Sequence, residues 1–516
     1  MIVKTYGCAL LGLQGHIITI EVDVDRRGFK FFMVGLPDSA VREGQQRIET
    51  ALKNAGLALP PRKIVVNLAP ADIRKEGAAY DLPIAVGMLA GEGVINSERL
   101  DRYIIMGELS LEGSVMPIRG VLPIAVEARK HGFSSLILPK ANAHEAAIVE
   151  GLEVYGVGHI REAVDFLNGT YTLAPTQYSY EAAVAELLER VRLDFADVRG
   201  QAVVKRALEI AVAGGHNVLM IGPPGAGKTM LARRVPFILP PMTLKEALET
   251  TKIHSVAGLL AQHELPLVVE RPFRAPHHTI SDVALVGGGT PPMPGEISLA
   301  HHGVLFLDEL PEFKRSSLEV LRQPLEDRII TISRSRYTVN YPANFMLVAS
   351  MNPCPCGYYT HPEKECTCTP QAIRKYVSRI SGPLLDRIDI QLEVQPVSFQ
   401  HLRDKDRHEE TSEQIRERVL RARQVQQQRF AHEPTVYSNA MMSPQLMRRY
   451  CRLDDTGEQL LKTAMERLQL SARAQDRILK TARTIADLDG SELIRTTHLA
   501  EAIQYRSLDR GNWGLR

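Results

Sequence analysis

The chain has 516 residues, too many for one hydrophobic core, and its composition of 44% hydrophobic and 24% charged residues is typical of a globular protein with several domains. The formal net charge is only +2, which argues against a uniformly basic protein, so any contact with nucleic acid must come from local patches. Aromatic residues make up 6% with a single tryptophan, Trp513, which argues against a large surface on which bases stack.

The first block, residues 1–170, mixes short β-rich runs with helical stretches. Residues 1–20 have no basic region and no cleavage site of small residues, so we interpret them as a strand rather than a signal peptide. No stretch approaches 18 uncharged apolar residues, so no membrane span is expected. Six cysteines, four of them clustered, do not resemble a secreted disulfide framework, and we expect a cytoplasmic protein.

Three further segments follow. Residues 171–190 begin polar and turn-rich and continue as an Ala, Leu and Glu helix, which we interpret as a linker. In residues 191–397, apolar strand-like runs alternate with helices, which predicts an α/β domain with a parallel sheet. Residues 398–516 are highly charged, with apolar side chains at helical spacing, and predict an all-α domain.

A phosphate-binding loop is the strongest motif of the chain. An apolar strand, residues 217–221, leads into a match to G-x-x-x-x-G-K-[ST], and residues 230–235 can begin the helix that follows. The backbone N–H groups of such a turn can close around phosphate oxygens, with Lys228 on the β- and γ-phosphates and the Thr229 hydroxyl on Mg²⁺. The predicted ATP-binding residues are Gly222, Pro223, Pro224, Gly225, Ala226, Gly227, Lys228 and Thr229.

Two carboxylates follow a second apolar run, residues 303–307. A central strand of an open α/β sheet presents such acids at its carboxyl edge, where ligands bind. Asp308 would hold Mg²⁺, directly or through water, and Glu309 would orient and deprotonate the attacking water. A third apolar strand, residues 345–350, leads to Asn352, whose amide can sense the γ-phosphate or position the water, although Asn-Pro is also a simple turn signal.

Two C-x-C pairs, separated by nine residues, follow Asn352. Four thiolates on a short loop can surround Zn²⁺ tetrahedrally, so we predict a structural zinc site, with free thiols as the alternative. His361, His301 and His302 are competing ligands, whereas Cys8 and Cys451 look like isolated structural residues. The predicted zinc ligands are Cys354, Cys356, Cys366 and Cys368.

Several arginines are candidates for contact with the nucleotide. Arg387 lies in an apolar setting, either as an arginine finger for a neighbouring subunit or as half of an intrachain Arg–Asp pair. Arg473 and Arg477 begin a helix on one face; one of them can reach back to the nucleotide, or both are solvated. Which roles Arg379 and these three arginines have at the nucleotide stays open.

Together these motifs resemble the magnesium-chelatase-like AAA+ family, in the same branch as the MCM helicases. Three stretches of the first block, residues 107–113, 115–118 and 136–140, resemble the proteolytic domain of Lon. A Lon-like domain before a chelatase-like core is the order of the bacterial ComM (YifB) family, of which the chain is identified as a member. The chelatase-like stretches are residues 197–201, 222–229, 274–278, 304–309, 351–357, 381–389 and 470–473.

The resemblance implies a fold and an activity. The fold is α/β: a Lon-protease-like α+β domain at 1–170, an AAA+ P-loop core at 191–397 with a helix-2 insertion, a hairpin and the cysteine knuckle, and an all-α lid at 398–516. The activity is that of a homo-hexameric motor that uses ATP and Mg²⁺, acts as a DNA helicase, and drives branch migration when transforming DNA is integrated, with recombination proteins among its partners.

A β-hairpin is predicted over residues 328–341, because β-branched and aromatic runs flank a Ser-Arg-Ser-Arg centre. In the family this hairpin points into the hexamer pore. Arg334 and Arg336 would then contact DNA phosphates without reading sequence, with solvated arginines as the alternative.

The first block departs from Lon where Lon is catalytic. The serine position of Lon holds Ala79 and the lysine position holds Leu122, and neither can act as nucleophile or base. A protease is therefore disfavoured. A chelatase-type remodeller that inserts a metal or reshapes a partner protein stays the main alternative, although such a motor normally needs a separate metal-handling subunit.

Overall fold

The structure is a computed structural model that describes residues 2–25, 28–180, 193–260, 265–333, 338–359, 361–397, 409–433, 435–468 and 470–506. Within these ranges every helix is too short or too polar to cross a bilayer. Three regions follow one another along the chain: a mixed sheet with helices, a parallel sheet with helices, and a set of helices.

The first region is built on a seven-stranded sheet in the order β3-β4-β2-β1-β5-β8-β9. The pairs β1–β2 and β2–β4 are antiparallel and the other neighbours are parallel. The strands are β1 (Ile2–Leu11), β2 (Gln14–Asp25), β3 (Phe31–Val34), β4 (Lys63–Ala69), β5 (Tyr103–Ile105), β8 (Ser135–Pro139) and β9 (Glu153–Val157), with the separate pair β6 (Glu108–Leu109) and β7 (Val115–Met116). The helices are α1 (Ser39–Asn54), α2 (Asp81–Gly91), α3 (Val121–Lys130), α4 (Ala143–Ala146) and α5 (Ile160–Leu167).

One expectation for this region needs correction. Residues 2–20, predicted as part of one strand over 1–20, belong to two strands, because Gly12 takes a left-handed φ of 62° and turns β1 back onto β2. Glycine adopts this conformation without the steric cost of a Cβ. Helix α2, which is apolar on all sides, packs over β1 and β2 and is buried along almost its whole length.

The second region is built on a five-stranded parallel sheet in the order β11-β14-β17-β10-β18. Its strands are β10 (Val218–Ile221), β11 (Phe273–Arg274), β14 (Val304–Leu307), β17 (Met346–Met351) and β18 (Ile390–Glu393). Two hairpins stand apart from this sheet: β12 (Gly287–Gly288) with β13 (Met293–Pro294), and β15 (Ile329–Ser333) with β16 (Thr338–Pro342). The helices are α6 (Ala202–Gly214), α7 (Lys228–Ala232), α8 (Val235–Ile238), α9 (Leu244–Val256), α10 (Asp282–Val286), α11 (Glu296–Leu299), α12 (Arg315–Glu319), α13 (Arg322–Asp327), α14 (Pro370–Val377) and α15 (Gly382–Leu385).

The described part of the C-terminal region consists of helices joined by short non-helical connections. Its helices share one apolar cluster with one face of the parallel sheet, while the hairpin β15–β16 shares a second cluster with the other face. Alternate residues along β10 and β14 enter opposite clusters, as the two-residue period of a strand requires. The helices are α16 (Ser412–Arg429), α17 (Pro444–Tyr450), α18 (Asp455–Leu468), α19 (Ala472–Leu488) and α20 (Thr496–Gln504). The predicted fold class, α/β with a parallel sheet and a helical C-terminal region, is confirmed.

Candidate functional site

The carboxyl ends of three parallel strands bring the predicted ATP residues together. Strand β17 lies between β10 and β14, so Asn352 after β17 stands between the phosphate-binding loop after β10 and Asp308 after β14. These groups line a cavity of about 360 Å³. The lining residues are Pro224, Gly225, Ala226, Gly227, Lys228, Thr229, Met230, Asp308, Glu309, Ser350, Met351 and Asn352.

The glycines of the loop meet different structural requirements, close packing at one position and a left-handed backbone at two others. Gly222 passes the start of the loop beside β18, where a Cβ would lie 2.2 Å from the Val394 carbonyl oxygen. Gly225 and Gly227 have φ values of 79° and 87°, and the space where a Cβ would stand is open. Because left-handed backbone favours glycine, the loop turns here and presents main-chain N–H groups to the cavity.

Lys228 lies across the loop that carries it. Its Nζ donates hydrogen bonds to the carbonyl oxygens of Gly222 at 2.6 Å and Pro223 at 3.0 Å, and to the Asn352 side-chain oxygen at 3.2 Å. Burial lowers the pKa of this amine below its ordinary value of 10.5, while Asp308 and Glu309 oppose that shift. A mostly buried ammonium is a charged hydrogen-bond donor, which suits the recognition of phosphate oxygens.

Asp308 is held by two hydroxyl groups. The Thr229 hydroxyl donates to its Oδ2 at 2.8 Å, and the Ser350 hydroxyl donates to its Oδ1. A carboxylate beside a threonine hydroxyl is the oxygen donor set that Mg²⁺ prefers, so these residues fit the predicted ion.

Glu309 has an unusual backbone. Its φ of 54° is left-handed, which is uncommon for a residue with a side chain, and its amide donates to Asp308 Oδ1 at 3.1 Å. The carboxylate is 53% exposed at the edge of the cavity, and His278 Nδ1 lies 3.5 Å from its Oε2. Strain of this kind collects at functional sites, and it turns Glu309 away from the direction of β14.

Three predicted arginines converge elsewhere. Arg387 is buried, with Nη2 at 2.6 Å from Glu326 and Nη1 donating to the Pro383 carbonyl at 2.6 Å, whereas its Nε has no hydrogen-bond partner among the described residues. Its carboxylate partner is therefore Glu326, not one of the adjacent aspartates. The pKa of Glu326 is lowered most by the hydrogen bond from Arg387, and the charges of Arg473 and Arg477 lower it further.

None of these arginines is among the described residues that line the ATP cavity, where Lys228 is the cation. Arg477 pairs with the buried Asp389 at 2.9 Å, and Arg379 pairs with Glu312 at 2.9 Å. The cluster Arg387–Arg473–Arg477 thus serves no part of this chain's own cavity in the structure.

The four clustered cysteines are brought together. The sulfur of Cys354 lies 3.3 Å from that of Cys356 and 3.6 Å from that of Cys366, and all four lie within 4.8 Å of one another. Tetrahedral Zn–S bonds of ~2.3 Å would place the sulfurs roughly 3.8 Å apart, so the set fits zinc. The knuckle touches the phosphate loop, because a Cβ on Gly357 would lie 2.7 Å from Pro224 Cδ.

The competing histidines do not join the cysteines. His301 and His302 lie with Glu249, at 3.6 Å and 2.8 Å from its Oε2. The Asn344 N–H donates to His301 Nδ1 at 3.0 Å, so the proton of the neutral ring is on Nε2. Nε2 can bind a metal only if that proton moves to Nδ1, which would break the hydrogen bond from Asn344. His361 accepts hydrogen bonds from the amides of Glu363 and Lys364.

The remaining predicted residues fall in different places. Cys8 and Cys451 are buried free thiols. Ala79 packs against the first core, and Leu122 is completely buried, its amide donating to Glu145 at 2.8 Å. The hairpin predicted for residues 328–341 is present in its described strands, but Arg334 and Arg336 lie outside the described residues.

Three residues of the site were missed by the sequence interpretation. Ser350 on Asp308, His278 on Glu309 and Glu326 among the arginines all act over long sequence separations. Ser350 had a usable signal, since it lies near the end of β17, the strand that leads to Asn352 and pairs with the strand before Asp308. Glu326 had none.

Comparison with known proteins finds relatives that match almost the whole chain. The family described as magnesium chelatase, subunit ChlI, matches residues 194–402, its C-terminal family matches 409–506, and a further ChlI family matches 20–142. Competence protein ComM of Haemophilus influenzae is 44% identical over 98% of this chain and 97% of its own length. YifB of Escherichia coli K12 is 42% identical over 97% of this chain and 96% of its own. Lon protease 2 of Bacillus subtilis is 30% identical over 25% of this chain and 23% of its own, a match to the N-terminal region.

Proposed function

The chain belongs to the ComM (YifB) family of magnesium-chelatase-like AAA+ proteins, and we propose that it is an ATP-hydrolysing, homo-hexameric motor that moves along DNA. The observation that carries ATP hydrolysis is the convergence of Lys228, Thr229, Asp308, Glu309 and Asn352 on one cavity. The name of the Haemophilus relative, a competence protein, supports a role in natural transformation. Branch migration of recombining DNA in the cytoplasm, together with recombination proteins, is the form that we propose for it.

Each domain of the chain has its own proposed role. We propose that residues 191–397 bind and hydrolyse ATP, that residues 398–516 form the lid, and that residues 1–170, joined by the linker 171–190, form a domain without protease activity. Ala79 and Leu122 support the last point, because neither side chain has a nucleophile or a base.

The proposed chemistry uses the geometry of the cavity. The loop amides and Lys228 hold the β- and γ-phosphates, Asn352 contacts the γ-phosphate, and Glu309 orients and deprotonates the attacking water. Thr229 and Asp308 would hold Mg²⁺, which neutralises charge on the phosphate oxygens. Glu309 is exposed enough to reach a water molecule and lies beside the phosphate loop.

In this fold an arginine stabilises the charge of the transition state of phosphoryl transfer. Among the described residues, no arginine lines the cavity, and Arg387 and Arg477 pair with Glu326 and Asp389 instead. We propose that Arg387 and Arg473 serve the nucleotide of a neighbouring subunit. A heterologous contact that repeats around a closed ring places every cavity against such a neighbour, which requires the oligomer.

DNA is the proposed substrate of the motor because the hairpin β15–β16 is separate from the parallel sheet and the sequence places Arg334 and Arg336 between its two strands. Arg334 and Arg336 would bind phosphates without reading sequence. The test is the ATPase rate with single-stranded and branched DNA: we expect a several-fold increase, whereas an unchanged rate would favour a chelatase-type remodeller.

The cysteine knuckle is proposed to hold structural zinc. Four thiolates whose sulfurs lie within 4.8 Å of one another repel each other and need a cation among them. Zinc would supply that charge and fix the loop that contacts Pro224.

Metal analysis checks this proposal. We expect purified protein to contain about one zinc ion per chain, and Cys366→Ser to lose it, because three thiolates hold zinc more weakly than four. Cys451→Ser is the matched control, since Cys451 is a buried thiol outside the cluster, and it should keep the metal. Protein without zinc, or equal zinc in the two variants, would contradict the site.

A further inference from the structure

The turn between β1 and β2 touches the hairpin β15–β16 near its loop end, because Val339 pairs with Ile332, one residue pair before the loop. A Cβ on Gly12 would lie 2.3 Å from Val339 Cγ1 in β16, so the backbone of the turn packs directly on that side chain. Leu11 and Leu13, on either side of Gly12, pack against the apolar cluster that contains the buried side chains of the hairpin. The first region of the chain thus contacts the element that we assign to DNA.

The hairpin depends on such contacts for its direction. It has one buried face and one exposed face, and a two-stranded hairpin is barely stable by itself in water. Besides the turn, the hairpin β12–β13 supports it: the Tyr341 hydroxyl donates to the carbonyl of Pro292 in the loop of that hairpin at 2.7 Å, and Ile332 lies beside Gly287. The buried face consists of Ile330, Ile332, Val339 and Tyr341.

The turn itself is anchored. Leu10 lies against Gly120 at the start of α3, and the Gly120 amide donates to the Ser255 carbonyl near the end of α9 at 3.1 Å. The Ser255 hydroxyl also donates to the buried Glu145. Glu145 also accepts a hydrogen bond from the Leu122 amide, and Leu122 stands at the position of Lon's catalytic lysine. In this chain, that part of the Lon-like domain is therefore hydrogen-bonded to the ATPase domain through Glu145 and Ser255.

We propose that the β1–β2 turn is a positioning element for the DNA hairpin, and that the N-terminal domain serves the motor as a rigid support. Gly12 is the positioning residue, since its lack of a side chain lets the turn close on Val339. The DNA part of this inference rests on the proposed function, but the support of the hairpin does not.

The test introduces one methyl group. In Gly12→Ala the new Cβ meets Val339 Cγ1, and the turn and hairpin must separate. Gly132→Ala is the matched control, because Gly132 also has a left-handed φ, 82°, but has nothing within 4 Å of an added Cβ. The double variant Gly12→Ala with Val339→Ala removes Cγ1 and leaves the Val339 Cβ position at 3.6 Å, an ordinary contact.

Amide hydrogen exchange and DNA-stimulated ATPase are the readouts. We expect Gly12→Ala to speed exchange in Ile329–Ser333 and Thr338–Pro342 about tenfold and to reduce stimulation by DNA at least about threefold, with ATPase without DNA retained. Gly132→Ala should match the parent. Because Val339→Ala by itself removes packing from the buried face, it is the reference for the double variant, in which Gly12→Ala should add little to either readout once Cγ1 is absent.

Two outcomes would overturn the inference: hairpin exchange in Gly12→Ala equal to that in Gly132→Ala, or faster exchange spread across the parallel sheet with loss of all ATPase. If DNA does not stimulate the parent protein, the proposed function fails, and hydrogen exchange alone still decides whether the turn supports the hairpin.

Discussion

Replacing Lys228 with alanine should reduce the ATPase rate about 100-fold or more, because the substitution removes the cation that lines the cavity, and a lost charge-stabilising donor costs that much in rate. Steady-state phosphate release checks this. Lys245→Ala, on an exposed position of α9, is the matched control and should keep the parent rate.

Lys228→Ala should lose ATPase activity without losing thermal stability. Burial lowers the folded-state pKa of Lys228 below 10.5, so protonation favours the unfolded chain, and the buried charge costs stability at every pH below that value. Its removal should leave the melting temperature unchanged or raise it. Retained ATPase, or a loss of ATPase that comes with a much lower melting temperature, would contradict a direct role in phosphate binding.

The proposed position of Arg387 in a neighbouring site predicts that two inactive variants restore each other. Arg387→Ala and Lys228→Ala should each lose most ATPase as separate preparations. In mixed rings, a subunit with an intact Lys228 meets a neighbour with an intact Arg387, which completes a cavity. Random equal mixing should return roughly a quarter of the parent rate, because one half of the subunits carry the lysine and one half of their neighbours the arginine.

A cis role gives a different result, because no subunit of the mixture holds both residues. Melting curves of Arg387→Ala serve as the control, since its pairing with Glu326 also contributes to the fold. Glu326 is half exposed and is solvated when its partner is lost, so the melting temperature should fall only slightly. A stable variant whose mixture with Lys228→Ala stays inactive would show that Arg387 does not act across the interface.

Much of the site was predictable because its signals are local. The phosphate loop lies in consecutive residues from Gly222 to Thr229, and Asp308 with Glu309 ends one apolar run. The alternation of strands and helices then fixed the edge of the sheet at which these motifs meet. The four cysteines, close in sequence, also came together in space.

The rest depends on contacts between distant parts of the chain. Glu326 joins Arg387 from another helix, and Gly12 meets Val339 across more than half the sequence. A sequence pattern shows which residues are apolar or charged, but it does not show which distant partner each one meets. For the same reason, two of the histidines considered as zinc ligands, His301 and His302, proved to lie with Glu249, and residues 2–20 proved to turn at Gly12.

The central claim is that ATP hydrolysis is coupled to DNA. The most direct measurement is the steady-state ATPase rate of the full chain with no DNA, with single-stranded DNA and with a three-stranded junction, at two salt concentrations, with Lys228→Ala as the blank. We expect a several-fold increase with DNA that weakens as salt rises, because phosphate contacts release counterions, and no increase in the blank. An ATPase rate that DNA leaves unchanged, with no salt-sensitive DNA binding, would contradict the DNA motor and favour a remodeller of proteins.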